Sequence, residues 1–156
     1  MSSSGQSWEE LTRIKSCGVF FMRSTIYVVA SARTIPGFEI SVEPIFELNR
    51  SSPAADLGEA IISALNSYRM DMPPPSPRGV NRSLVLRSFN MKSWRQLERA
   101  ALYIHVTLDD EIVGVMPATR DAKRGGYIHR PNEAAQCAFR SEEIGKTVFS
   151  ILERCS

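Results

Sequence analysis

Two short stretches of this chain carry one pattern. They are Ser7-Trp8-Glu9-Glu10-Leu11 and Ser93-Trp94-Arg95-Gln96-Leu97, and between them they hold both tryptophans. Each reads as a helix start. A serine at the N-cap satisfies an orphan backbone N–H, and the side chain three residues later, Glu10 or Gln96, completes a capping box. Leu11 and Ile14 continue an apolar stripe from Trp8, and Leu97, Ala100 and Ala101 continue one from Trp94. Spacings of three and four put such residues on one helix face.

A second pair of segments matches in the same order. Leu57, Ile61, Ala64, Leu65 and Tyr68 form a helical stripe, and Ile144, Val148, Ile151, Leu152 and Cys155 repeat its offsets. Each has a glycine after its first residue, with Trp8 and Gly58 50 residues apart and Trp94 and Gly145 51. Glycine within a helix costs about 1 kcal/mol against alanine, so its presence in both copies predicts close packing against another backbone. Ser52-Pro53 supplies an N-cap and N1 pair for the first of these helices. Ser141, followed by Glu142 and Glu143, serves the second, with acids at the positive end of the dipole.

Between the helices the period changes to two. Leu102, Ile104, Val106 and Leu108 alternate with Tyr103, His105 and Thr107, which predicts a strand with one buried face. Asp109-Asp110 reads as a hairpin turn and Ile112 to Met116 as the returning strand. In the first half, Cys17 to Met22 and Ile26 to Ala30 flank a turn near Arg23-Ser24. Third strands, bent or broken, fall within Phe38 to Leu48 and Gly126 to Phe139. The fold class expected is α+β: two similar helix–antiparallel strands–helix halves packed as one domain. Residues 7–69 form the first half, 70–82 a proline-rich linker and 83–156 the second. The prolines at 73, 74, 75 and 77 predict extended polyproline II geometry for Met70 to Gly79.

With 156 residues, 43% hydrophobic and 23% charged, the chain has the composition of a soluble globular domain. No stretch approaches the roughly 20 apolar residues of a membrane span, and Met1 to Gly5 lacks the pattern of a signal peptide. Three cysteines without paired spacing suit a reducing compartment, so a cytoplasmic location is expected. A net charge of +2 does not make a nucleic-acid binder.

Catalytic chemistry finds little support. His105 falls on the polar face of its strand and reads as solvent-facing. His129 lies near Cys137 in sequence, but Cys137 sits in the apolar run Ala134 to Phe139 and reads as a buried structural thiol rather than a nucleophile. No metal-ligand spacing occurs, nor any phosphate or dinucleotide fingerprint, so neither metal nor cofactor is expected. Asp109, Asp110 and Glu111 make an acidic hairpin tip. Arg33 and Arg120 occupy matching places, each followed by glycine and an aromatic at Gly37-Phe38 and Gly126-Tyr127. Such an arginine can brace carbonyls or hold a carboxylate bidentately, and the bracing role is favoured. The alternative makes these loops a recognition surface.

The second half carries a resemblance. Asn90-Met91-Lys92-Ser93-Trp94 leads into a helix, and a strand pair ends at Met116-Pro117-Ala118-Thr119-Arg120. Gly126-Tyr127 and a final helix with Glu143-Ile144-Gly145 follow. This order, over Leu84 to Leu152, resembles the CdiI-type immunity proteins of bacterial contact-dependent growth inhibition. The first half follows more loosely, with Ala30 where Pro117 stands. The resemblance implies a non-enzymatic cytoplasmic protein that binds the C-terminal toxin domain of a cognate effector, often a nuclease, and blocks it without a cofactor. Such a protein has a protein partner rather than nucleic acid or membrane. Contact residues do not carry over within the family. They are expected chiefly where the two halves differ, at Asp109, Asp110, Glu111, Lys123, Arg124, Tyr127 and His129, with Arg120 the one position claimed by both the scaffold and the recognition readings. The alternative is a small nucleic-acid-processing or phosphate-handling enzyme using Arg120, Lys123, Arg124 and His129. A third reading is an adaptor recognised through the proline-rich segment. Oligomeric state is left open.

Overall fold

The computed structural model describes residues 14–73 and 80–155. The helix start at Ser7 and Trp8 and the prolines at 74, 75 and 77 lie outside them. The described elements run β1 (Lys15–Met22), β2 (Thr25–Thr34), β3 (Glu39–Asn49), α1 (Ala54–Asn66), β4 (Arg69–Met72), α2 (Val80–Ser88), α3 (Trp94–Ala100), β5 (Leu102–Asp109), β6 (Ile112–Arg120), β7 (Tyr127–His129), a 3-10 turn (Pro131–Glu133), β8 (Ala135–Ala138) and α4 (Ser141–Cys155). The strands form one sheet in the order β3-β2-β1-β5-β6-β7, with β4 beside β2 and β8 beside β6. Every pairing is antiparallel except that of β4 with β2. The α+β class expected from the sequence holds, and the halves share one continuous sheet joined along β1 and β5.

That joint has a simple geometry. Gly18 pairs with His105, flanked by Ser16 with Thr107 and Phe20 with Tyr103. A shift of 87 residues takes Gly18 to His105, Ser16 to Tyr103 and Phe20 to Thr107, so the register is unchanged when the two strands exchange places. The same shift takes Ala54 to Ser141 and Gly58 to Gly145. A Cβ on Gly58 would lie 1.7 Å from the Ser141 carbonyl oxygen, and one on Gly145 would lie 1.8 Å from that of Ala54. The helices therefore cross through their glycines, each against the first turn of the other.

The inner face of the sheet and these two helices enclose the main core. Cys17, Val19, Phe21, Ile104 and Val106 from the joint meet Leu57, Ile61, Ile144 and Val148. A smaller cluster lies on the outer face, where Phe20 and Val29 pack with Val85, Phe89, Leu97 and Ala101 of the α2–α3 layer. Both faces of β1 are thus covered, and its interior residues are buried without a break. This burial explains its run of apolar residues in place of alternation.

Several local expectations change. Pro53, not Ser52, caps α1, and its cap makes no side-chain hydrogen bond. Ser51 and Ser52 are held in a turn by Asn49, whose Oδ1 accepts from Ser51 N and Oγ and whose carbonyl accepts from Ser52 N. At Trp94 the box forms in a shifted version: Ser93 Oγ accepts from Gln96 N at 3.1 Å, and Gln96 Oε1 accepts from Lys92 N at 2.8 Å. Arg69–Met72 is a strand rather than the start of a polyproline spacer, because its backbone joins the end of β2 through Ala32 and Thr34. Val80–Ser88, partly inside the expected linker, is helical. The second hairpin turns at Asp110-Glu111, one residue later than expected, since Asp109 still pairs with Ile112.

The third strands are bent and broken as read. β3 has a register shift opposite Val29 and Ala30. Its counterpart is split into β7 and β8. The break faces Pro117, whose carbonyl accepts from Arg130 N at 2.8 Å. A residue's N–H and carbonyl point to the same side of a strand. The donor that proline lacks would therefore have faced the gap, where a ladder bond is not needed.

Candidate functional site

Past the α2–α3 roof, the outward residues of the sheet become small and polar: Ser16, Gly18, Ser31, Ser41, Thr107 and Gly114. Two polar and aromatic groups border this floor. On the first, Glu39 Oε2 accepts from the buried Ser16 hydroxyl at 2.7 Å and from Tyr68 OH at 3.1 Å. Arg33 donates to Tyr68 OH at 3.2 Å and to the Gly37 carbonyl at 3.1 Å, with its other nitrogen 3.9 Å from Glu39. Arg33 is therefore the brace the sequence favoured, tying a loop carbonyl and a carboxylate together. Arg120, its counterpart, ends β6 exposed.

The second group is a run of rings. Tyr27 stacks on Phe89 at 4.2 Å, Phe89 meets Phe20 edge-on at 5.1 Å, and Phe20 meets Tyr103 at 4.8 Å. Tyr103 lies 5.2 Å from Tyr127 and 6.4 Å from His129, and His129 stacks on His105 at 5.1 Å. Gly18 makes room for this, since a Cβ there would lie 2.9 Å from the Tyr103 ring. Tyr103 OH pairs with His105 Nδ1 at 3.2 Å. His105 is thus half-buried against its neighbours, not the solvent-facing histidine expected, because β7 brings His129 alongside.

Burial lowers the His105 pKa from its ordinary 6.5, and neighbouring His129 adds to this while Glu39 opposes it. A histidine with a lowered folded-state pKa favours the native state when neutral, so its stabilisation is complete above about pH 6.5 and is lost as pH falls through the folded value. The melting temperature is therefore expected to fall between pH 7.5 and pH 5, and less steeply in His105→Gln. Melting curves of both proteins across that range test this; equal slopes would remove His105 from the account.

The β6–β7 hairpin carries Arg120, Lys123, Arg124, Tyr127 and His129. Asp121 Oδ1 accepts from the backbone N–H of Lys123 and of Arg124, at 3.0 and 3.1 Å, and their side chains are exposed. The loop is fastened to α3 twice. Glu98 accepts from Gly126 N, and Tyr127 OH donates to the Ala101 carbonyl at 3.0 Å. Burial and the Glu98 charge push the Tyr127 phenol up to about 12, against the opposing effect of Arg120. Tyr127 is thus half-buried and anchored, while its four companions on the loop are exposed.

Asp109, Asp110 and Glu111 lie at the opposite end of β6. Its eight residue steps, at about 3.3 Å each, put roughly 26 Å between the acidic tip and Arg120. The structure does not bring the acidic and basic groups together. Cys137 and His129 also diverge: they pair with Val113 and Ala118 respectively. Cys137 packs, half-buried, toward the main core, with burial raising its thiol pKa, while His129 joins the outer rings. Among the described residues, no group of three or more His, Cys, Asp or Glu side chains is placed to hold a metal.

The Glu39 cluster was not singled out in the sequence. Tyr68 looked like the last residue of a helix stripe, and Glu39 like one polar position in a strand. The available signal was the cross-strand pair, since Arg33 and Glu39 flank a tight loop and face each other in register.

No protein-family model and no curated protein matches the sequence. Solved structures do match the fold. A chain of the CdiA-CT/CdiI toxin and immunity complex from Yersinia pseudotuberculosis aligns with a TM-score of 0.74 at 15% identity, over 92% of this chain and 98% of that one. The protein of unknown function NMB0488 from Neisseria meningitidis aligns with a TM-score of 0.72 at 16% identity, over 92% of this chain and 96% of its own. At such identities the likeness is one of fold. No described helix is long and apolar enough to cross a membrane.

Proposed function

We propose that this chain is a cytoplasmic immunity protein of the CdiI type, which binds the C-terminal toxin domain of a cognate effector and occludes its active or substrate-binding site. The observation that carries this reading is the fold shared, over nearly the full length of both chains, with a chain of a toxin and immunity complex. The resemblance noted in the second half points the same way. A nuclease is the toxin class it implies. The site chemistry agrees with a binding role, since Ser16, Arg33, Glu39 and Tyr68 are engaged in bracing hydrogen bonds and Cys137 and His129 face apart.

The contact surface centres on the exposed Arg120, Lys123, Arg124 and His129, with Tyr127 fixing their loop. A standard interface covers about 800 Å² per partner and so is roughly 30 Å across. Asp109, Asp110 and Glu111, roughly 26 Å from Arg120 against a patch radius of about 15 Å, then lie beyond its edge, where charge steers association rather than adding contact. The test is co-expression with the toxin domain encoded beside this chain. Protected growth and a tight complex are expected, with Lys123→Glu/Arg124→Glu weakening binding at least tenfold while melting is unchanged. A toxin that shows no measurable binding and kills regardless would reject the reading. Catalytic turnover by this chain that is lost in His129→Ala would favour a phosphate-handling enzyme instead.

A further inference from the structure

A cavity of about 300 Å³ lies between the outer face and α3. Its walls are the rings of Phe20, Trp94, Tyr103 and Tyr127, with the Glu98 carboxylate among them. Three of these rings are mutually close: Phe20 to Tyr103 is 4.8 Å, Tyr103 to Tyr127 is 5.2 Å and Phe20 to Tyr127 is 6.5 Å between centroids. The two phenol hydroxyls are occupied elsewhere, by His105 and by the Ala101 carbonyl. What the tyrosines offer the cavity is therefore ring surface.

We propose that this cavity binds an organic cation, a guanidinium or alkylammonium group. The negative faces of aromatic rings attract such ions within about 6 Å, most strongly where water is displaced. Glu98 adds a formal negative charge on the same wall. One of its oxygens accepts from Gly126 N, and the other has no donor among the described residues. Ser31 and Ser41 line the floor, and their hydroxyls make no hydrogen bond among the described residues. They can accept from the N–H groups of a guanidinium. The volume sits at the lower end of small-molecule sites, about 300–1,000 Å³. Two glycines shape the cavity. Gly18 lets the Tyr103 ring lie close over β1, and Gly126, at φ +80°, turns its N–H toward Glu98. The proposal does not depend on the immunity reading.

Trp94 reports on occupancy once the other tryptophan is removed, so the test uses the full chain carrying Trp8→Phe. Its fluorescence is titrated with ethylguanidinium and with neutral ethylurea at constant ionic strength. Ethylguanidinium is expected to give a saturable change, with affinity at least fivefold above that of ethylurea. Glu98→Gln keeps an acceptor for Gly126 N while removing the charge, and is expected to weaken ethylguanidinium binding at least fivefold with melting unchanged. Equal responses to the two probes, no saturation, or full affinity in Glu98→Gln would overturn the proposal. Agmatine and a blocked Gly-Arg-Gly peptide then separate the sources. Tighter binding of the peptide assigns the site to an arginine carried on a partner chain, and tighter binding of agmatine to a free small molecule.

Discussion

Gly58→Ala is expected to destabilise the protein by about 3 kcal/mol or more, at the upper end of what overpacking costs. Intrinsic helix propensity points the other way, since alanine is favoured over glycine by about 1 kcal/mol within a helix. Geometry decides the sign. The new methyl would lie 1.7 Å from a backbone carbonyl oxygen, and a backbone atom cannot rotate away as a side chain can. α1 and α4 would have to separate, loosening Leu57, Ile61, Ile144 and Val148 at the centre of the core. Gly145→Ala meets the same obstacle from the other side and should cost a similar amount. Because both substitutions push apart one crossing, the double variant should lose less than the sum. Gly114→Ala is the control. Its Cβ would meet only the Thr107 hydroxyl, at 2.7 Å, and that side chain can move. Urea unfolding of the four variants and the parent measures the effects; a midpoint for Gly58→Ala equal to that of the parent would refute the crossing described.

The second large effect is expected at Leu97, which should lose about 2–5 kcal/mol on truncation to alanine. Its side chain is fully buried, and α3 has seven residues, too few to be helical alone in water. The helix is held by what it touches. Leu97 and Ala101 pack against Phe20, Val29 and Phe89. α3 in turn fastens the β6–β7 hairpin through Glu98 to Gly126 and Tyr127 to Ala101. Leu97→Ala should therefore shift the urea midpoint, move the Trp94 emission to the red in native buffer, and loosen the loop that carries Lys123 and Arg124. A parent-like emission spectrum together with a loss below about 1 kcal/mol would show that the helix is secured otherwise.

The sequence was most informative where one periodicity ran unbroken. The stripes from Leu57 and from Ile144 to Cys155 mark real helices, though the first ends at Asn66, short of Tyr68, and the alternation Leu102 to Leu108 marks β5. Their paired glycines indicated a backbone approach before any partner could be named. Helix α2 was missed because the burial described for it rests on Val85, with Phe89 just beyond its end, next to a proline-rich stretch that suggested a spacer. β4 was missed for a related reason. Four residues with alternating partial burial carry little pattern, and only pairing with β2 makes them a strand. The outer-face site was the least legible part. His105 and His129 are far apart in sequence and meet because β7 pairs with the end of β6, which puts His129 opposite Ala118 and beside Tyr103. Arg33 and Glu39 pair across one tight loop, but Ser16 and Tyr68 come from separate stretches that no local rule joins to them.

The joint between β1 and β5 has a consequence for how the molecule comes apart. Each helix covers strands of its own half, but among the described residues both halves feed one continuous core across the sheet seam and the helix crossing. Losing one half strips the other of its inner packing, so unfolding should be a single cooperative event rather than a sequence of domain losses. Cys17 sits on that seam, fully buried and paired across it with Val106. Burial, with a smaller contribution from Glu39, raises its thiol well above the ordinary range. It is thereby shielded from alkylation by access and by the scarcity of thiolate. The chain carries a built-in clock for its own opening: the rate at which Cys17 is modified counts how often the two halves let go of each other.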